Sequence, residues 1–215
     1  MDWDNVIADE ELILDKHYTS GRSDSIRGIV LHHNAGNLSI QQCYNVWQSR
    51  EASAHYQIDI NGRVGQLVND WDTAWHAGNA NPWTIGIEHA NNNFGPWTIS
   101  EKTLESGAHL VAALCKLYDL GEPEWMKNVF PHSYFMATAC PGEIAGSQNS
   151  KYMSRAKTWY AKMTGTYKEP SQTKPADPTP SDKLYRVQVG AFSKRENAER
   201  LAEELKNKGY NTIIK

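Results

Sequence analysis

Ile26-Arg-Gly-Ile-Val-Leu-His-His33 narrows the fold more than any other segment of the chain. Largely apolar, it reads as a strand buried on both faces, which requires layers packed above and below it. The strand ends in two histidines. Neighbouring side chains of a strand point to opposite faces, so only one of His32 and His33 can serve a given site.

The flanking segments supply the layers. Ser39-Ile-Gln-Gln42 is a capping box ahead of a helix that runs to Arg50. His55 to Ile60 and Arg63 to Val68 form a hairpin around Asn61-Gly62, the pair that type I′ turns favour. Thr84 to His89 is a further strand, with Ile85, Ile87 and His89 alternating against Gly86 and Glu88. Leu104, Ala108, Val111, Leu114, Cys115 and Tyr118 recur at helical spacing, and Gly121 is placed to stop that helix. Lys151 to Met163 reads as a last helix. The pattern predicts an α/β fold, a mixed central β-sheet covered by helices, over residues 1–166.

Four prolines among Ser, Thr and Lys between Lys168 and Asp182 cannot form a core, so residues 167–182 read as a semi-extended linker. The tail, residues 183–215, predicts a small β-α-β module. Its strands are Leu184 to Phe192 and Tyr210 to Ile214, around a helix from Arg195 to Lys208 that places Ala198, Leu201, Ala202 and Leu205 on one face. A unit this short buries little apolar area by itself.

Charge excludes one class of partner. Residues 1–182 carry 14 Lys/Arg against 21 Asp/Glu, and residues 183–215 carry 8 against 4. An acidic body repels phosphate, so nucleic acid is not an expected partner. No run approaches the roughly 18 apolar residues of a membrane-spanning helix, so membrane insertion is not expected. Met1-Asp-Trp-Asp-Asn5 is acidic where a signal peptide would be basic, so synthesis in the cytoplasm is expected. The three cysteines lack the number and spacing of a disulfide framework. Cys43 and Cys115 read as small buried hydrophobes.

Cys140 has a different setting. His132 and Cys140 lie eight apart in Pro131-His-Ser-Tyr-Phe-Met-Ala-Thr-Ala-Cys-Pro-Gly142. Imidazole and thiolate are the donors that zinc prefers, and three protein ligands leave the fourth position for water. The third ligand must come from elsewhere, and His32 or His33 at a strand end is the natural donor.

Five blocks occur in order: Ile29-Val-Leu-His-His-Asn-Ala-Gly36, Ser53-Ala-His-Tyr56, Ala74-Trp-His-Ala-Gly78, Thr84-Ile-Gly-Ile-Glu88 and His132-x7-Cys140-Pro-Gly142. Together they resemble the zinc-dependent N-acetylmuramoyl-L-alanine amidases of the type 2 family, which includes phage T7 lysozyme and the peptidoglycan recognition proteins. The resemblance covers residues 20–160. It implies a zinc ion (Zn2+) held by His32, His132 and Cys140, with the first histidine of the pair as the ligand. It also implies hydrolysis of the amide between N-acetylmuramic acid and L-alanine in bacterial peptidoglycan.

Glu88, a carboxylate at the end of an apolar strand, is then the general base. Thr138 stands where many relatives carry an oxyanion-stabilising lysine and supplies a hydroxyl without charge. His55 and His76 are expected to line the cleft and bind substrate. His33 and His89 are expected to pack beside the site, and His17 and His109 to lie on the surface. Most of Trp71, Trp75, Trp83 and Trp97 are expected in the core.

The tail motif Tyr185-Arg-Val-Gln-Val-Gly-Ala-Phe192 with Asn197-Ala-Glu-Arg-Leu201 resembles the first half of a SPOR domain, a peptidoglycan-binding family. A half-module implies either a truncated polypeptide or a dimer formed through a second copy. The expected role is a phage or prophage endolysin, or an autolysin, that acts on the cell wall after release. A non-catalytic peptidoglycan-binding protein is the alternative. A lysozyme-type glycosidase would need a second carboxylate paired with Glu88, and none is evident.

Overall fold

The run from Ile26 to His33 folds as a strand over Gly28–Leu31, and all four residues are buried. The structure is a computed structural model that describes residues 1–92, 94–169 and 188–214. It divides into two units, Met1–Lys168 and Glu169–Lys215. In chain order the first unit holds β1 (Glu10–Glu11), β2 (Tyr18–Thr19), β3 (Gly28–Leu31), α1 (Ile40–Ser49), β4 (Tyr56–Ile58), β5 (Val64–Gln66), β6 (Thr73–Ala74), β7 (Thr84–His89), α2 (Glu101–Leu117), β8 (Val129–Pro131) and α3 (Asn149–Met163). The second unit holds α4 (Arg195–Asn207).

Six strands form the main sheet in the order β1-β5-β4-β7-β3-β8. Its pairs are parallel except for the β4–β5 hairpin, so the sheet is mixed, as the pattern predicted. Ile29 and Leu31 of β3 and Ile85 and Ile87 of β7 pack against Leu104 and Val111 of α2 and Tyr152 and Ala156 of α3. Each aliphatic side chain so buried stabilises the fold by roughly 1.5–3 kcal/mol. Val30 faces the other way, onto Ala77 and Ala80. Ile40, Cys43 and Trp47 of α1 pack with Ala54, Leu67 and Ala74 in a separate cluster. Ser39 caps α1 through the expected box with Gln42.

Four local expectations are corrected. In the hairpin turn only Gly62 has a positive φ, +81°, whereas type I′ needs two such residues. The Asp59 carboxylate organises the turn instead, accepting from the amides of Asn61 and Arg63 at 2.8 and 2.9 Å. Gly62 N also donates to Asp59 O at 3.0 Å. Helix α2 ends before Gly121: Asp119 takes the left-handed conformation at φ 52°, and Leu120 N bonds back to Cys115 O at 2.9 Å. That bond closes a Schellman cap with an aspartate at its left-handed position.

None of the four clustered tryptophans is fully buried, and Trp71 is 70% exposed. Nor is His109 a surface residue. Its ring is stacked between Trp3 and Trp159 at centroid distances of 3.9 and 3.8 Å, and burial pushes its pKa down to about 4.

In the second unit α4 forms where helical spacing placed it, with Ala198, Leu201, Ala202 and Leu205 less exposed than the residues between them. Residues 188–192 and 210–214 are not strands in this structure. Strand pairing needs a partner edge, and α4 offers none. The rest of the expected first strand and most of the linker lie outside the described residues. Among the described residues, no helix is long and apolar enough to cross a membrane.

Candidate metal centre and active site

Strands β7, β3 and β8 lie side by side and parallel, with Ile87, Leu31 and Pro131 in register. The next residue on each is Glu88, His32 and His132. Gln57 of β4 is the register partner of Glu88 on the far side. One transverse row of polar residues therefore crosses the carboxyl edge of the parallel strands, the place where open α/β sheets bind ligands. Register neighbours on parallel strands share a face. Since Leu31 and Ile87 point to α2 and α3, alternation turns His32 and Glu88 away from those helices.

Cys140 completes the cluster from a turn-rich segment after β8. His32 is 2% exposed, while His132 and Cys140 are half-buried. One donor atom from each of the three lies within 4.8 Å of the others. Cys140 Sγ is 3.8 Å from His32 Nδ1, and the two histidine rings are 4.4 Å apart. Tetrahedral zinc needs donors about 3.3–3.8 Å apart, so small adjustments suffice.

The chemistry of the donors fits a cation. Burial lowers the pKa of His32 well below the usual imidazole range, and the charges of His76 and His132 add to the effect. It is therefore neutral, as a ligand must be. Burial raises the Cys140 thiol, the Glu88 carboxylate raises it further, and the His33 amide on Sγ at 3.3 Å opposes both. Such a thiol makes a poor free nucleophile, but a coordinated cation deprotonates it.

Glu88 is pushed up to about 7, by burial first, with an Asn34 hydrogen bond opposing. Asn34 Nδ2 donates to Glu88 Oε2 at 3.0 Å. Asn34 is itself gripped by Gln57, the two amides exchanging hydrogen bonds of 2.9 Å each way. A carboxylate poised near neutrality is suited to accepting a proton. Thr138 is exposed, and its Oγ1 accepts from Cys140 N at 3.2 Å, leaving the hydroxyl proton free to donate.

The two histidines expected to bind substrate sit behind His32, enclosed by the protein. His55 has no exposure. Its Nδ1 accepts from Gly86 N at 3.0 Å, and its Nε2 lies 2.6 Å from Arg22 Nη2. His76 is 9% exposed, with Nδ1 at 3.0 Å from His32 Nε2 and Nε2 at 3.2 Å from Thr84 Oγ1. Burial, with the charges of His132 and Arg22, pushes His76 down to about 3. Both ring nitrogens of each are occupied within the protein, so neither ring is free to bind substrate. His89 spans from the His32 carbonyl, 2.7 Å from Nδ1, to Tyr152 OH at 2.9 Å.

Sequence reasoning passed over Asn34, Gln57, Thr84 and Met136, whose Sδ is 3.2 Å from His132 Nε2. Asn34 and Thr84 stand inside the quoted blocks. The polar Gln57, sitting in an apolar strand, was the available signal for its role.

Comparison with known proteins bears on the family and the fold. The family model of N-acetylmuramoyl-L-alanine amidases (type 2) matches residues 22–143, more than half of the 215 residues. The SPOR domain model matches residues 144–215, starting earlier than the predicted tail and crossing α3, which packs in the first unit's core. N-acetylmuramoyl-L-alanine amidase A of Achromobacter lyticus is 30% identical over 97 residues, 45% of this chain and 55% of that protein. The 1,6-anhydro-N-acetylmuramyl-L-alanine amidase AmpD of Haemophilus influenzae is 43% identical over 61 residues, 25% of this chain and 33% of that protein. The matched regions thus span 32–55% of the curated relatives' own lengths. Among solved structures, the Staphylococcus aureus hydrolase AmiA, in complex with its ligand, aligns with a TM-score of 0.60 at 20% identity, covering 75% of this chain and 88% of that one. That likeness bears on the fold. With the family model spanning β3 to Cys140, the chain belongs to the type 2 N-acetylmuramoyl-L-alanine amidase family.

Proposed function

We propose that the protein is a zinc-dependent hydrolase that cleaves the amide between N-acetylmuramic acid and L-alanine in bacterial peptidoglycan. The observation that carries this reading is the row Glu88–His32–His132 closed by Cys140, a carboxylate beside two imidazoles and a thiol at one sheet edge. His32, His132 and Cys140 would hold the metal, which when bound polarises the scissile carbonyl and acidifies a water. Glu88, with its pKa near 7, accepts the proton from the attacking water and passes it to the departing alanine nitrogen. The amide C–N bond breaks, giving a lactyl carboxylate and a free L-alanine amine. The Thr138 hydroxyl donates to the oxygen that gains charge as the carbonyl becomes tetrahedral.

A wall-binding role for the tail is supported by the SPOR match. Release onto the wall as a phage or prophage endolysin, or as an autolysin, is the setting we infer for the activity. Digestion of purified cell wall tests the chemistry. New L-alanine amino groups without new reducing ends are expected, with loss of activity on chelation or in Cys140→Ser. New reducing ends, or activity that survives both treatments, would overturn the reading. Wall binding without any cleavage would favour the non-catalytic alternative.

A further inference from the structure

A ligand histidine is useful only if its metal-facing nitrogen carries the lone pair, and in a neutral imidazole the other nitrogen then carries the proton. For His32 this choice is written into its neighbours. Thr84 Oγ1 lies 2.7 Å from Ala80 O, which can only accept, so the single hydroxyl proton goes there. The same oxygen, 3.2 Å from His76 Nε2, must therefore accept from His76. His76 is buried, with no carboxylate hydrogen-bonded to its ring among the described residues, and as a neutral imidazole it has one N–H. With Nε2 donating to Thr84, Nδ1 is an acceptor. His32 Nε2, 3.0 Å away, then donates to it. His32 Nδ1 is left with its lone pair on the side of Cys140 Sγ.

We propose that His76 and Thr84 form a positioning relay that holds His32 in the Nε2–H tautomer, with Nδ1 directed to the metal. The relay is built rather than incidental. Asn81 Oδ1 accepts from both His76 N and Ala77 N, at 3.0 and 2.6 Å, and so fixes the backbone that carries the ring. Gly86 makes room for the ring, because a Cβ there would meet His76 Cγ and Nδ1 at 2.8 Å. Thr84 and Gly86 both belong to β7, the strand that also carries Glu88. One strand thus orients a metal ligand and presents the base.

The inference rests on the metal reading above, but its test separates the two. In the metal-free protein, 15N NMR of the imidazole rings reads the tautomers directly. Protons on Nε2 of both His32 and His76 are expected, and a proton on Nδ1 of His32 would overturn the relay, whatever the protein's affinity for zinc. Zinc affinity measured by competition with a chromophoric chelator is the second readout. Thr84→Val should weaken zinc binding about 10- to 100-fold, the usual effect of losing a partner that orients a ligand, and Thr84→Ser should stay within about three-fold of wild type. Affinity in Thr84→Val equal to wild type would overturn the proposal. So would a loss in Thr84→Ser equal to that in Thr84→Val, since packing and not the hydroxyl would then be at work. A wild-type protein with the expected tautomers and no zinc affinity would sustain the relay while removing the proposed function.

Discussion

The candidate metal centre joins two unlike halves. His32 and Glu88 come from the ends of parallel strands deep in the sheet, and their directions follow from the ladder: His32 N bonds to Ile87 O at 2.8 Å. His132, Thr138 and Cys140 come from a segment of turns that is half-buried or exposed along most of its length. That segment is shaped by a few bonds, among them Ser133 N to Cys140 O at 3.0 Å and Gly142 N to Ala139 O at 2.8 Å. The sheet half is preorganised by the core, whereas the turn half depends on local contacts and on the ion it would share with the sheet. A rigid wall set against an adjustable one would suit the proposed substrate, a bulky polymer.

Removing one ligand from each half gives the largest expected effects. His32→Ala and His132→Ala should each abolish tight zinc binding and hydrolysis. Their stabilities should differ. His32→Ala leaves a buried cavity and orphans His76 Nδ1, so a loss of about 1–3 kcal/mol is expected in metal-free denaturant unfolding. Half-buried His132 should cost under about 1 kcal/mol under the same conditions. Equal losses would mean that the two halves are not differently anchored.

The base offers the next largest effect. Glu88→Gln should retain zinc while hydrolysis falls by about 100-fold or more. The pKa of Glu88 is raised in the folded protein, so burial of the protonated form is favoured and the contribution to stability is fully present below the unfolded value. It is lost as pH rises from the unfolded value through about 7, beyond which both states are ionised and no further loss follows. The metal-free wild type should therefore lose melting temperature relative to Glu88→Gln between pH 5 and pH 8, a window that follows from the ordinary carboxyl value of 4.5 and the raised one of about 7. Parallel melting curves across that range would show that Glu88 is not desolvated by the sheet half.

The same contrast explains what could be read before the structure. That His32, Glu88, His132 and Cys140 are candidates for one site was legible because they stand in short blocks with distinct local settings: strand ends for His32 and Glu88, and the His-x7-Cys-Pro-Gly segment for the other two. The choice between His32 and His33 was not, on residues alone. It follows from register, in which Leu31 pairs with Ile87 and Pro131, and register is a property of three strands far apart in sequence. His55 and His76 sit in equally distinct blocks, yet their surroundings come from Arg22, Thr84 and Gly86. Nothing within either block says that a distant arginine or a hydroxyl will occupy a ring nitrogen. The hairpin turn was misjudged for a smaller reason. Asn61-Gly62 is a strong type I′ signal, but the Asp59 side chain captured the turn amides first.

The smallest expected effect probes the turn half alone. His132 Nε2 meets Met136 Sδ at 3.2 Å, where His32 Nε2 meets an imidazole backed by a hydroxyl and a carbonyl. A thioether is a weak acceptor, and Met136 is 49% exposed, so water can replace it. Met136→Leu should therefore weaken zinc binding only about two- to five-fold, well below the range for loss of a strong orienting partner. A loss in Met136→Leu as large as that in Thr84→Val would show that the turn half is held as tightly as the sheet half, and the contrast between them would fail.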